Sequence, residues 1–259
     1  MSRLFIENRG RGDVQLVLLH GWAMHGGVFA PLAELLEERC TLHLVDLPGH
    51  GRSHDGAISL MPPDCARAIA ERVPPAIWLG WSLGGVIALQ AALDLPQQVR
   101  ALAMLCASPC FVRADDWPCG ISPEVLQQFA ADLRGDHHGT LERFLALEAL
   151  GSDCAQQDLR RLRSEAFAQA APGLRALRDG LDVLKRTDLR QRLPQLPCPS
   201  AWIVGRRDRL VPWQAMQWSA QACAGAFTRI EGGGHAPFIG HAPEIAAALQ
   251  PLLAKGAQA

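Results

Sequence analysis

The sequence predicts an α/β fold: a mostly parallel central sheet flanked by helices, with an all-helical cap inserted into it. Three observations carry that expectation. Short apolar runs recur along the chain without the in-out alternation of a half-exposed sheet. Helix-length segments separate them, the pattern of parallel strands joined by crossovers. One long block, from about Cys110 to Arg190, holds only helix-like segments.

Taken in order, "QLVLLHG" (15–21), "TLHLVDLPG" (41–49), "AIWLGWS" (76–82), "VRALAMLCAS" (99–108) and "SAWIVG" (200–205) read as buried strands, and "AFTRIEGGG" (226–234) as a weaker one. Helical spacing appears in "FAPLAELLEE" (29–38), "PPDCARAIAERV" (62–73), "GGVIALQAALDL" (84–95) and "APEIAAALQPLLAK" (242–255). Inside the long block, "SPEVLQQFAADLRG", "GTLERFLALEAL" and "DCAQQDLRRLRSEAFAQA" are helical. Turn chemistry brackets it, with "SPCF" and "DWPCGISP" on one side and "LPQLPCPS" on the other. Residues 1–109 and 191–259 are therefore expected to form the core, and 110–190 a cap over the sheet's carboxyl edge. Catalytic groups of such sheets sit at the carboxyl ends of strands.

Bulk properties narrow the function. The 259 residues are 49% hydrophobic and 20% charged, enough to bury a sizeable core. A net charge of −1 gives no electrostatic case for nucleic acid or an anionic membrane as partner. Arg9 and Arg11 precede any long apolar run, so the amino terminus does not read as a signal peptide. No apolar stretch approaches the ~20 residues of a membrane helix. The cysteines (Cys40, Cys65, Cys106, Cys110, Cys119, Cys154, Cys198, Cys223) show no CxxC pair and no zinc-finger spacing. They are expected as free thiols of a cytoplasmic, monomeric protein.

The chemistry-bearing signal is Gly80-Trp81-Ser82-Leu83-Gly84, a G-x-S-x-G pattern between an expected strand and an expected helix. A serine in a strained turn there brings the residues two before and two after together, so both must be very small. The same turn aims the next helix's free N–H groups at the hydroxyl. Alone, such a short pattern recurs by chance. A serine nucleophile also needs a base, and the base an orienting acid. Of nine histidines, His235 follows the last expected strand in the Gly232–Gly234 loop. His241, next to the last helix, reads as a surface or capping residue. His43 lies in a strand, and His137 and His138 in a turn of the insertion.

Asp208 follows the penultimate expected strand; the bland alternative pairs it with Arg206, Arg207 or Arg209. Asp182 and Asp188 are the other candidate acids, but they precede that strand. The chain order Ser82, Asp208, His235, each at a strand end, favours catalysis. The fourth requirement is a pair of N–H donors for a developing oxyanion. His20-Gly21-Trp22, at the end of the 15–21 strand, offers the Trp22 N–H beside that of Leu83. With no tyrosine in the chain, a phenolic donor is excluded. His20 reads as a structural hydrogen-bonder, and "DLPGHGRS" (46–53) as a structured loop without a catalytic role.

Together HGW, DLPGHGRS, GWSLGG, the acid in RRDRLVP and GGGHAPF resemble the α/β-hydrolase superfamily, essentially end to end. More narrowly, "LVLLHGW", "TLHLVDLPGHGRS", "AIWLGWSLGG", "SPCF", "ERFLAL" and "DLRQ" resemble the BioH family, esterases of biotin synthesis acting on pimeloyl-[acyl-carrier protein] methyl ester. The resemblance implies a serine esterase with Ser82 as nucleophile, His235 as base and Asp208 as its orienter, and with no metal or cofactor. It implies an acyl channel lined by Trp22, Ser82, Leu83, Phe144, Leu145, Ala146, Leu147, Glu148 and His235. Glu148 departs from the family's neutral glutamine; its carboxylate either disturbs the channel or turns to water.

An acidic carrier protein would favour a basic docking face. Residues 110–190 hold 11 Lys and Arg against 13 Asp and Glu, so the cap is not basic overall. Arg160 and Arg161 nevertheless project from the apolar stripe of Leu159, Leu162 and Ala166, and with Arg143 offer a local face. Solvated helix arginines are the plain alternative. The triad does not separate this activity from that of a general short-chain carboxylesterase, a lactonase or a carbon–carbon bond hydrolase. A ligand-binding relative without catalysis needs no such triad, and a haloalkane dehalogenase needs a carboxylate where Ser82 stands.

Overall fold

The structure, a computed structural model, describes residues 4–54, 58–169 and 172–256. In chain order the first part holds β1 (Ile6–Arg9), β2 (Val14–Leu19), α1 (Ala30–Leu36), β3 (Cys40–Val45), α2 (Pro62–Ala70), β4 (Ala76–Trp81), α3 (Leu83–Asp94) and β5 (Val99–Leu105). Four helices follow before the sheet resumes: α4 (Pro123–Asp132), α5 (His137–Ala149), α6 (Ala155–Ala166) and α7 (Leu174–Arg186). The rest holds β6 (Ser200–Gly205), α8 (Trp213–Ala222), β7 (Ala226–Ile230), α9 (Pro237–Gly240) and α10 (Ala242–Gly256).

The seven strands lie in the order β1-β3-β2-β4-β5-β6-β7. All neighbouring pairs are parallel except β1 with β3, where Ile6 faces Val45 and Arg9 faces Leu42. The central strands are apolar throughout because helices cover both faces: every residue of β4 and of β6 is buried. Three expected strands run three or more residues past the strands of the fold. β3 stops at Val45, β5 at Leu105 and β7 at Ile230, because the segments beyond bend into loops at the carboxyl edge.

β4 sits at mid-sheet between β2 and β5, so the loop it feeds lies over the middle of the carboxyl edge. The insertion is fastened there by three of its helices. From α5, the Glu148 carbonyl accepts the His235 N–H at 3.2 Å. From α6, the Glu165 carbonyl accepts His25 Nε2–H at 2.9 Å. From α7, the Leu177 carbonyl accepts Trp22 Nε1–H at 2.8 Å. All eight cysteines are free. Among the described residues no helix is long and apolar enough to cross a membrane.

Candidate active site

Ser82 follows β4 and caps α3 with φ 53° and ψ −119°, a left-handed-side conformation costly for a residue with a Cβ. Its surroundings impose it. A Cβ on Gly80 would come within 2.3 Å of the Gly84 carbonyl oxygen, and one on Gly84 within 2.2 Å of the Leu19 carbonyl oxygen. The chain can fold this tightly only because both positions carry hydrogen. The turn leaves the Ser82 side chain against the β2 loop, where a Cβ on Gly21 would lie 3.2 Å from the Ser82 Cβ.

The three residues expected as a triad come together. His235 Nε2 stands 3.0 Å from Ser82 Oγ, and His235 Nδ1 stands 2.8 Å from Asp208 Oδ2. With Nδ1–H donating to the carboxylate, Nε2 is the acceptor for the serine hydroxyl. Asp208 is fixed from its other side, since Oδ1 accepts the Leu210 and Val211 N–H groups at 2.8 and 2.9 Å. The bland pairing with neighbouring arginines does not occur: Arg206 meets Glu231 instead, at 3.4 Å. Asp188 is engaged by Arg190 at 2.7 Å, and Asp182 lies on α7. Ser82 is 2% exposed and His235 0%, so the array is shielded from bulk water.

Leu83 follows the serine directly, and Trp22 follows Gly21, the residue that lies against Ser82. Among the described residues, neither the Trp22 nor the Leu83 backbone N–H donates to a protein acceptor. Gly180 of α7 packs on both, since a Cβ there would come within 2.7 Å of Trp22 Cδ1 and 3.2 Å of Leu83 Cδ2. His20 orients the turn: its Nδ1–H donates to the Gly21 carbonyl at 2.7 Å and its Nε2 accepts the Leu47 N–H at 2.9 Å. Burial, and then neighbouring His50, push its pKa down to about 3, so it is a neutral strut. In the "DLPGHGRS" loop, Asp46 accepts N–H groups from Gly26 and Arg52 and pairs with the Arg52 guanidinium at 2.9 Å.

The helix α5 segment contributes unevenly. Phe144 stacks edge-on against Trp22 at 4.5 Å and against Phe129 of α4 at 5.4 Å. Leu145 is buried and Leu147 half-buried, but Ala146 is exposed. The expectation that all five residues line a channel is corrected for Ala146: two positions from both Phe144 and Glu148, it lies about half a helical turn away from them. Glu148 does not turn to water. It is 0% exposed, and both carboxylate oxygens lack a partner among the described residues. Burial, then the Asp208 charge, hold its carboxyl well above the usual range, which favours the uncharged form.

The three arginines do not form one face. Arg160 and Arg161 line a groove of about 420 Å³ with Pro31, Gln157, Ser164 and Ile239. Arg161 pairs with Glu165 at 2.9 Å, and Arg160 makes no ion pair among the described residues. Arg143 lies in another groove, taken up by Asp132 at 3.2 Å and Asp136 at 3.4 Å. The expected grouping of Arg143 with Arg160 and Arg161 is not found, since Arg143 lines a different groove and is paired with acids.

Two contributors escaped the sequence reading. Trp81 Nε1–H donates to the His235 carbonyl at 2.8 Å, holding the base from below. Cys106, at φ 45° after β5, sets its thiol within 4.8 Å of the Asp208 carboxylate and the His235 ring. The first hid as the variable residue of G-x-S-x-G, the second among scattered cysteines.

The family model described as "alpha/beta hydrolase fold" matches residues 15–242. The pimeloyl-[acyl-carrier protein] methyl ester esterase of Stenotrophomonas maltophilia is 54% identical over 252 residues, spanning 97% of this chain and 96% of the relative. That of Xanthomonas axonopodis pv. citri is 56% identical over 253 residues, spanning 97% and 99%. Among solved structures, a bromoperoxidase from Bacillus anthracis superposes with a TM-score of 0.87 at 21% identity, covering 97% of this chain and 95% of that one. An esterase from Exiguobacterium antarcticum gives 0.85 at 22% identity, with the same coverage. These two share the fold; the sequence relatives reach further. The chain belongs to the alpha/beta hydrolase fold family and, within it, to the family of the pimeloyl-[acyl-carrier protein] methyl ester esterases.

Proposed function

We propose that this chain is a serine carboxylesterase that hydrolyses the methyl ester of pimeloyl-[acyl-carrier protein], releasing methanol and the free carboxylate for biotin synthesis. The observation that carries the reading is the unbroken chain Ser82 Oγ, His235 Nε2, His235 Nδ1, Asp208 Oδ2, with links of 3.0 and 2.8 Å. It stands in a protein over half identical, along almost its full length, to esterases of that name.

Ser82 Oγ attacks the ester carbonyl carbon while His235 Nε2 takes its proton. Asp208 keeps the Nδ1–H tautomer and stabilises the imidazolium. The carbonyl oxygen, now an anion, receives the Trp22 and Leu83 N–H groups. The carbon–methoxy bond then breaks, His235 returns its proton, and methanol leaves an acyl-Ser82. Water attacks that acyl carbon with its proton passing to His235. The Ser82–acyl bond breaks, the proton returns to Oγ, and the carboxylate is released. No step calls for a metal or cofactor.

We take residues 1–109 and 191–259 as the catalytic core and 110–190 as the cap that selects the acyl chain. Trp22, Leu83, Phe144, Leu145 and Leu147 supply apolar surface, with Glu148 among them. The carrier protein docks at Arg160 and Arg161, and the enzyme works in the cytoplasm as a monomer. The test is methanol release from pimeloyl-[acyl-carrier protein] methyl ester together with fluorophosphonate labelling. The reading expects turnover and labelling, both lost in Ser82→Ala. Substantial hydrolysis by that variant would overturn it.

A further inference from the structure

Away from the triad, the start of α6 meets the start of α10 in a cluster of metal-ligating groups. Asp153 and Cys154 come from the insertion, His241 from the carboxyl-terminal part of the chain. One ligand atom from each lies within 4.8 Å of the others. His241 Nε2 stands 2.9 Å from Asp153 Oδ1, while its Nδ1 faces Glu244 Oε1 at 3.3 Å. A second observation is independent of these three. Asp158, one helical turn after Cys154, is 1% exposed, and its Oδ1 has no partner among the described residues. That oxygen borders the cluster: a Cβ on Gly240 would lie 3.1 Å from Asp158 Oδ1 and 3.4 Å from Cys154 Sγ. The carboxylate is hydrogen-bonded with Ser152, so one buried oxygen is left without a partner, which is costly unless something compensates it.

We propose that Asp153, Cys154 and His241 bind a divalent cation of the zinc type, with water in the fourth position and Glu244 orienting the imidazole. Sulfur and imidazole donors select zinc over magnesium or calcium, which want oxygen. Tetrahedral bonds of about 2.0–2.3 Å place ligand atoms about 3.3–3.8 Å apart, so modest side-chain rotations close the site. His241 then binds through Nε2 and donates Nδ1–H to Glu244, the usual carboxylate-histidine-metal relay. His241, between Asp153 and Glu244, is the group that first balances these acids, and Arg207 adds a weaker effect on Asp153. Binding displaces the thiol proton, so affinity rises with pH.

The site would clip the insertion to the catalytic loop. The Asp153 N–H already donates to the Gly232 carbonyl at 3.0 Å, three residues before His235. Adding zinc to chelator-stripped full-length protein should raise Tm by about 5 °C at a hundredfold excess over Kd. Cobalt should give the near-ultraviolet thiolate-to-metal absorption of one site per chain. Cys154→Ser and Asp153→Asn, both near-isosteric, should lose affinity by more than the roughly 10–100-fold expected for Glu244→Gln. No cobalt absorption or Tm shift in the wild type would overturn the proposal. So would signals that survive Cys154→Ser, which would put the cation at another thiol such as Cys106.

Discussion

The two sides of the Ser82–His235–Asp208 array differ in how their polar groups are satisfied. On the core side Asp208 spends one oxygen on two backbone N–H groups and the other on His235, whose ring in turn meets Ser82. On the insertion side Glu148 lies as deeply buried with neither carboxylate oxygen engaged. The core side is a rigid device for one chemistry, whatever the acyl group. On the insertion side, proposed here to select the acyl chain, burial favours the uncharged form of an unpaired carboxyl. Activity should therefore respond steeply to changes on the first side and stability or substrate choice to changes on the second.

The largest expected effect is Ser82→Ala, which should lower kcat by about 10⁶ with an unchanged circular dichroism spectrum, the scale seen when a hydrolase nucleophile is removed. Asp208→Asn should come next, at about 10⁴ in kcat, because an amide no longer enforces the Nδ1–H tautomer. A loss under tenfold would mean that the core side is not the device described here.

Stability should fall in mild acid. Burial pushes His20 down to about 3 and His50 to about 4. Unfolding restores both to about 6.5, so below that the unfolded chain binds protons the folded chain refuses. Denaturant unfolding should show on the order of 5 kcal/mol lost between pH 6.5 and 4 from these two rings. A flat profile there would deny that His20 is a neutral strut.

Glu148→Met sharpens the contrast from the other side. Its folded carboxyl titrates above its unfolded value, so the native residue costs stability increasingly as pH rises from about 4.5 toward that raised pKa. The variant should be more stable than the native chain, by a margin that grows as pH rises from 4 to 8. Smallest is the Arg160→Ala, Arg161→Ala pair: roughly two- to tenfold lower kcat/KM on the carrier-bound ester and no change on a free ester, as expected of exposed charges.

The sequence reading reached the core side more fully than the insertion side, for a physical reason. Buried parallel strands and the crowding at Gly80 and Gly84 leave local marks, and Ser82, Asp208 and His235 each follow a strand whose apolar run is plain. β1 did not stand out, since "IENR" is short, mostly polar and only half-buried. The grip of α7 on Trp22 runs through the Leu177 carbonyl, which any residue supplies. Ala146 shares one run with Phe144 and Glu148, and only the helical period separates its face from theirs. Arg143 shares its charge and its insertion with Arg160 and Arg161, and only the fold brings Asp132 and Asp136 around it.

The most direct measurement compares kcat/KM on pimeloyl-[acyl-carrier protein] methyl ester with that on a free short-chain methyl ester. A core that supplies chemistry and an insertion that supplies choice predict a large preference for the carrier-bound ester, carried mainly in KM. Equal values would leave the Ser82 chemistry standing but contradict the assignment of substrate selection to residues 110–190.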